Sequence, residues 1–196
     1  FALYPMVRGR LVAINERAIE SRNMADERTK RLVDREFNLS YSDTMRADNI
    51  IVAGEGWNGT PPKLPEFSVE EWIAKELNIK VNDQLTFNVA GTKVSAKVSN
   101  LRKVDWDSFK VNFYVIASPG LLETMPTSFV TSFYLSSSQE KLLNDLVRAF
   151  PNLSVIDVAA IMTRFRTMTE QVAKAVQFVF LFTVLAGLVV LYAAIG

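Results

Sequence analysis

Leu85, Phe87 and Val89 alternate with Thr86, Asn88 and Ala90, and after a turn at Gly91 the same period resumes at Val94, Ala96 and Val98. Successive side chains of a strand face opposite sides, so the pattern predicts a half-buried β-hairpin. Shorter runs predict strands over residues 7–14, 37–41, 50–53, 112–116, 130–135 and 153–156. Helical spacing shows elsewhere. A short polar helix is expected over 25–34. Ser68 and Glu71 have capping-box spacing, with Phe67 and Trp72 at the staple positions, which predicts a helix over 69–77 that buries Trp72, Ile73 and Leu77. Another helix starts at one of the serines 136–138, carries Leu142, Leu143, Leu146, Val147 and Phe150, and stops before Pro151.

The end of the chain has a different texture. Val158, Ile161, Met162, Phe165, Met168, Val172, Val176 and Val179 recur at spacings of three and four, and residues 175–196 carry no charge, with Gln177 and Thr183 as their polar side chains. About 20 apolar residues rising ~1.5 Å each cross a ~30 Å hydrocarbon core. The expectation is one helix, capped by Asp157, that starts in water and ends in lipid. The domains predicted are therefore an α+β domain over 1–156, a stalk over 157–174 and a truncated transmembrane helix over 175–196. In the first of these, a mixed sheet has a few helices packed on it and a hairpin subdomain.

Composition narrows the chemistry. Hydrophobic residues make up 49% and charged residues 22%, and the net charge is +1, so neither disorder nor a nucleic-acid partner is indicated. The basic run Arg28, Lys30, Arg31 and Arg35 is interleaved with Asp26, Glu27, Asp34 and Glu36, the pattern of a solvated helix face. The absence of cysteine and histidine removes disulfides, thiolate nucleophiles, Ser-His-Asp arrangements and common catalytic metal sites. No metal or cofactor is expected in this chain. It opens at Phe1 without a methionine and stops at Gly196 before any polar flank, which leads one to expect a longer parent on both sides or a trimmed chain.

Three motifs carry candidate chemistry. Gly54, Gly56 and Gly59 have dinucleotide-loop spacing, but Thr60, Pro61 and Pro62 follow where that loop needs a helix, so a surface loop over 54–65 is expected. Asp105 and Asp107 flank Trp106 and would project from one face of an extended segment. They fit paired acid/base carboxylates or a cation site. They fit equally surface ion pairs with Arg102 and Lys103, or a loop fixed by side-chain to backbone hydrogen bonds, and this bland reading is preferred. Asn38, Asn58 and Asn152 each open an N-x-S/T triplet, here treated as chance.

The runs Leu3 to Arg10, Leu11 to Asn15 and Leu101-Arg102-Lys103-Val104-Asp105-Trp106-Asp107-Ser108, with Asn112-Phe113, Thr131-Ser132-Phe133 and the stretch from Asp157 to Thr169, resemble an extracytoplasmic region of bacterial FtsX-like, MacB-like ABC transporter permeases of the YbbP type. The resemblance covers essentially the whole chain. It implies a non-catalytic membrane subunit of the bacterial inner membrane, with residues 1 to about 174 in the periplasm. ATP would be bound and hydrolysed by a separate cytoplasmic ABC ATPase subunit. The stalk, with Val158, Ile161, Met162, Phe165, Met168 and Val172, would relay that motion to a periplasmic domain meeting a partner or a hydrophobic or envelope substrate. Two alternatives fit the same pattern: the extracytoplasmic sensor of a transmembrane signalling receptor, and a membrane-anchored hydrolase using Asp105 and Asp107.

Overall fold

A computed structural model describes residues 2–19, 27–57, 59–60, 62–108, 110–136 and 139–195. Residues 25–26 of the first predicted helix, Asp26, two of the candidate starting serines at 137–138, Asn58, Phe1 and Gly196 lie outside the described residues. The chain divides into two compact units, Phe1–Tyr134 and Leu135–Gly196.

In the first unit the strands are β1 (Tyr4–Ile14), β2 (Arg17–Ala18), β3 (Phe37–Tyr41), β4 (Asn49–Gly54), β5 (Glu66–Glu70), β6 (Gln84–Val89), β7 (Thr92–Val104), β8 (Val115–Ala117) and β9 (Ser128–Val130), with helices α1 (Glu27–Asp34) and α2 (Glu71–Glu76). β1 pairs antiparallel with both β3 and β6. From β3 the ladder continues parallel to β8, antiparallel to β5, parallel to β7 and antiparallel back to β6. The mixed sheet therefore closes on itself as a six-stranded barrel, and the predicted hairpin, β6 and β7, supplies two of its staves. β2 and β9 extend β1, and β4 pairs with the far half of β7.

Closure follows from which face each strand buries. Val7 lies opposite Leu39, Leu39 opposite Val115, and Val115 opposite Val69, so one buried apolar layer runs around the ring. Phe87 packs edge-on to Phe37 and Phe67, with ring centres 6.3 and 5.4 Å away. Offset aromatic contacts of this kind add to what area burial alone contributes. Gly9 faces the same interior, where a β-carbon would stand 2.8 Å from Leu39 Cδ1.

The outer face of β3, β8, β5 and β7 is also covered. Ser40, Ile116, Ser68 and Asn100 are cross-strand neighbours there, beneath Trp57 and Phe113. Trp57 Nε1 donates to the Ser42 carbonyl at 2.9 Å, which satisfies its polar edge while the ring is buried.

Several local expectations are corrected. Ser68 does not cap α2; it is buried in β5 and its hydroxyl donates to Asn100 Oδ1 at 2.5 Å. Because β5 pairs on both sides, its ladder extends to Glu70, and the carboxylate of Glu70 accepts from Ile73 N at 3.0 Å as the actual cap. The helix is correspondingly shorter than 69–77. Residues 112–114 precede β8 outside any strand, the strand expected at 130–135 is replaced by β9 at 128–130, which shares Val130 with it and leaves 131–135 outside any strand, and residues 153–156 form no strand. The predicted ion-pair face of α1 is present in part, as Lys30 with Glu27 at 3.4 Å and Arg10 with Asp34 at 3.0 Å.

The second unit contains α3 (Glu140–Ala149) and α4 (Val158–Ile195). α4 is a continuous helix of 38 residues.

Candidate functional site

Asp157 Oδ1 accepts from Ala160 N at 2.9 Å, so the expected cap opens α4. At ~1.5 Å per residue the helix is about 57 Å long, of which the uncharged part, residues 175–195, covers about 30 Å. It is long and apolar enough to cross a membrane. The Thr183 hydroxyl donates to the Val179 carbonyl at 2.8 Å, so this polar group of the uncharged stretch is satisfied within the helix. Thr163, Thr167 and Thr169 do the same at 2.9 to 3.0 Å, and Arg166 pairs with Glu170 one turn on. No helical turn is lost around Thr167.

Val158, Ile161, Met162, Phe165, Met168 and Val172 are all exposed. At ~100° per residue they fall on a stripe about 120° wide, the width of a face that packs against another element. Arg164, Arg166, Glu170 and Lys174 lie in the N-terminal half of the helix, and no charge follows Lys174.

The structure places Asp105, Trp106 and Asp107 at the end of β7, where Trp106–Ser108 form one 3-10 turn. Asp105 Oδ1 accepts from Asp107 N at 3.1 Å and its carbonyl accepts from the Ser108 hydroxyl at 2.7 Å. This is a loop fixed by side-chain to backbone hydrogen bonds, as the sequence predicts. Trp106 lies against Tyr114, with ring centres 4.8 Å apart, and the Arg35 guanidinium sits 5.4 Å from the same tyrosine. Among the described residues no group of three acids, histidines or cysteines is placed to hold a metal ion. The glycine run is likewise structural: Gly54 adopts φ +78° at the end of β4, where a β-carbon would meet Ser99 O at 2.1 Å, and among the described residues of the loop none is helical.

Arg102 is not the surface partner of Asp105 or Asp107. It is fully buried, its Nη2 donates to the Phe113 carbonyl, and burial lowers its guanidinium to about 10 against the opposing charge of Glu70. The burial of Arg102 is in phase with the period of two that buries Val94, Ala96, Val98, Asn100 and Val104; what that pattern does not show is the cover that Trp57 and Phe113 place over the outer face.

Sequence reading also missed a shallow concavity of about 630 Å³ on the first unit, lined by Tyr4, Arg46, Asp48, Lys110, Val111 and Ser132, among others. Arg46 grips Asp48 through Nε at 3.0 Å and Nη2 at 2.8 Å, donates from Nη1 to the Val111 carbonyl, and lies over the Tyr4 ring at 4.8 Å. Lys110 Nζ stands 3.7 Å from Asp48. The hydrogen bond from Arg46 holds the Asp48 carboxyl below its ordinary value of 3.8, against a smaller opposing effect of burial.

In architecture this is a small mixed β-barrel on a chain that carries a membrane-length helix. No family model matches the chain. It is 38% identical over 194 residues, 99% of its length, to the protein of Escherichia coli (strain K12) named uncharacterized ABC transporter permease YbbP. The chain spans 23% of that relative's length. The resemblance read from the residues thus extends along the barrel, the irregular segment and the long helix alike.

Proposed function

We propose that the chain is the extracytoplasmic barrel, stalk and one transmembrane helix of a permease subunit of an ABC transporter of the MacB/FtsX class. In this reading ATP is bound and hydrolysed by a separate cytoplasmic subunit. The protein sits in a bacterial inner membrane, with residues up to about 174 in the periplasm. The barrel meets a periplasmic partner or a hydrophobic or envelope substrate.

The observation that carries this reading is the continuity of α4 from Val158 to Ile195. A helix without a break passes an axial or rotational displacement along its length, whereas a flexible joint would dissipate it. Val158, Ile161, Met162, Phe165, Met168 and Val172 are the residues through which the lever would bear on a neighbouring element. The likeness to a protein named as an ABC transporter permease supports the same class.

The test has two parts. Full-length protein purified in detergent is expected to bring an ATP-hydrolysing subunit with it, and purification without one sinks the proposal. In that complex Thr167→Pro, which removes a helix bond and kinks α4 at a cost of about 3 kcal/mol or more, is expected to leave assembly and ATP hydrolysis intact and to abolish transport-dependent work. Full work from the kinked protein would reject the lever.

A further inference from the structure

We propose that the concavity between Arg46 and Lys110 is an anion-binding site, taking a phosphate group. Of the five guanidinium N–H groups, Arg46 directs one from Nε and one from Nη2 to Asp48 and one from Nη1 to the Val111 carbonyl. Two remain. Lys110 Nζ, at 3.7 Å from Asp48, is too far to hydrogen-bond with it and keeps its ammonium donors on an exposed side chain. Tyr4 and Ser132 line the same concavity. Asp48, the carboxylate lining the concavity, already accepts from Arg46 on both oxygens. Donors are in surplus and the local charge is positive by one, so the complementary ligand is rich in acceptors and negative.

The site is also pre-ordered. Arg46 is held on one side by the fork onto Asp48, at its tip by the Val111 carbonyl and across its plane by Tyr4, so little side-chain freedom is lost when it meets a ligand. Asp48 thus acts as the positioning residue for the arginine. The concavity lies where both ends of the barrel unit converge: Tyr4 pairs with Val130, and the Thr131 hydroxyl donates to the Ala2 carbonyl at 2.8 Å. A phosphate group can reach such a place free in solution or on a lipid headgroup.

The experiment uses the full chain in nanodiscs and reads backbone hydrogen exchange over residues 2–6, 44–48 and 110–112. One arm adds inorganic phosphate to phosphatidylcholine discs. The other replaces a third of the phosphatidylcholine with phosphatidylglycerol and adds no phosphate. Protection in the first arm assigns a soluble anion, and protection in the second alone assigns a headgroup. In either case Lys110→Ala, which breaks no hydrogen bond of the fold, should weaken the response about tenfold, and Arg46→Lys, which keeps the charge and loses the fork, should also weaken it. Absence of protection in both arms, or protection unchanged in Lys110→Ala, overturns the site.

Discussion

Arg102 Nη2 donates to the backbone carbonyl of Phe113, and the arginine making this bond has no exposed surface. The bond ties the irregular segment before β8 to the outer face of β7. Glu70, the cross-strand neighbour of Arg102 and the cap of α2, is buried too and supplies the opposing charge. Removing one of two coupled buried charges leaves the other without compensation.

A double-mutant cycle therefore separates packing from charge. Arg102→Met keeps most of the volume and should destabilise the protein. Arg102→Met combined with Glu70→Gln should be more stable than the sum of the two single effects predicts, by about 0.5–3 kcal/mol. Denaturant unfolding of the four proteins measures it. Additive single effects would show that the two charges are independent.

Gly9 faces the buried interior of the barrel. A β-carbon there would stand 2.8 Å from Leu39 Cδ1 and 3.0 Å from Val89 Cγ2, both on buried side chains. Overpacking of this kind costs about 1–3 kcal/mol. Gly9→Ala is expected to lower the unfolding midpoint, and adding Leu39→Val, which withdraws the clashing methyl, should recover part of the loss. Thermal melts of the single and double variants decide it.

The hairpin β6–β7 and the helix α4 are legible in the sequence because each is a local repeat, of period two in one case and three to four in the other. Closure of the barrel is not. It depends on β1 meeting β3 on one side and β6 on the other, pairings between segments far apart in sequence that no window of residues records. Ser68 shows how local signals lose to such pairing: its spacing to Glu71 is that of a cap, yet a strand paired on both sides claims it for the sheet. The Arg46 concavity was invisible for the same reason, since Tyr4, Arg46 and Lys110 come from three separate segments.

Asp48 gives the molecule a defined acid sensitivity. Its folded-state pKa is depressed by the hydrogen bond from Arg46, so the contribution it makes to stability is present above 3.8, its ordinary value, and is lost as pH falls through the lower folded value. Unfolding midpoints followed from neutral pH into this acid range should fall for the wild-type chain. Asp48→Asn should be less stable at neutral pH and should show a shallower fall in acid. A variant with the wild-type slope would mean that other carboxylates account for the whole effect.

The boundary between stalk and span makes the last prediction. α4 runs without interruption through Lys174, so in the proposed reading the backbone does not mark where water would end and lipid begin; only side-chain chemistry does. Lysine at the centre of a transmembrane helix costs about 2.5–3.5 kcal/mol on the insertion scale, whereas near the end its long stem carries the ammonium to the interface. Leu185→Lys, ten residues into the uncharged stretch that begins at 175, is therefore expected to reduce the inserted fraction sharply in carbonate extraction. Val172→Lys, on the stalk beside the existing Lys174, should insert like the wild type. Equal extraction of the two variants would place residues 175–195 outside the bilayer, and the lever proposed for 158–174 would then have nothing to push against.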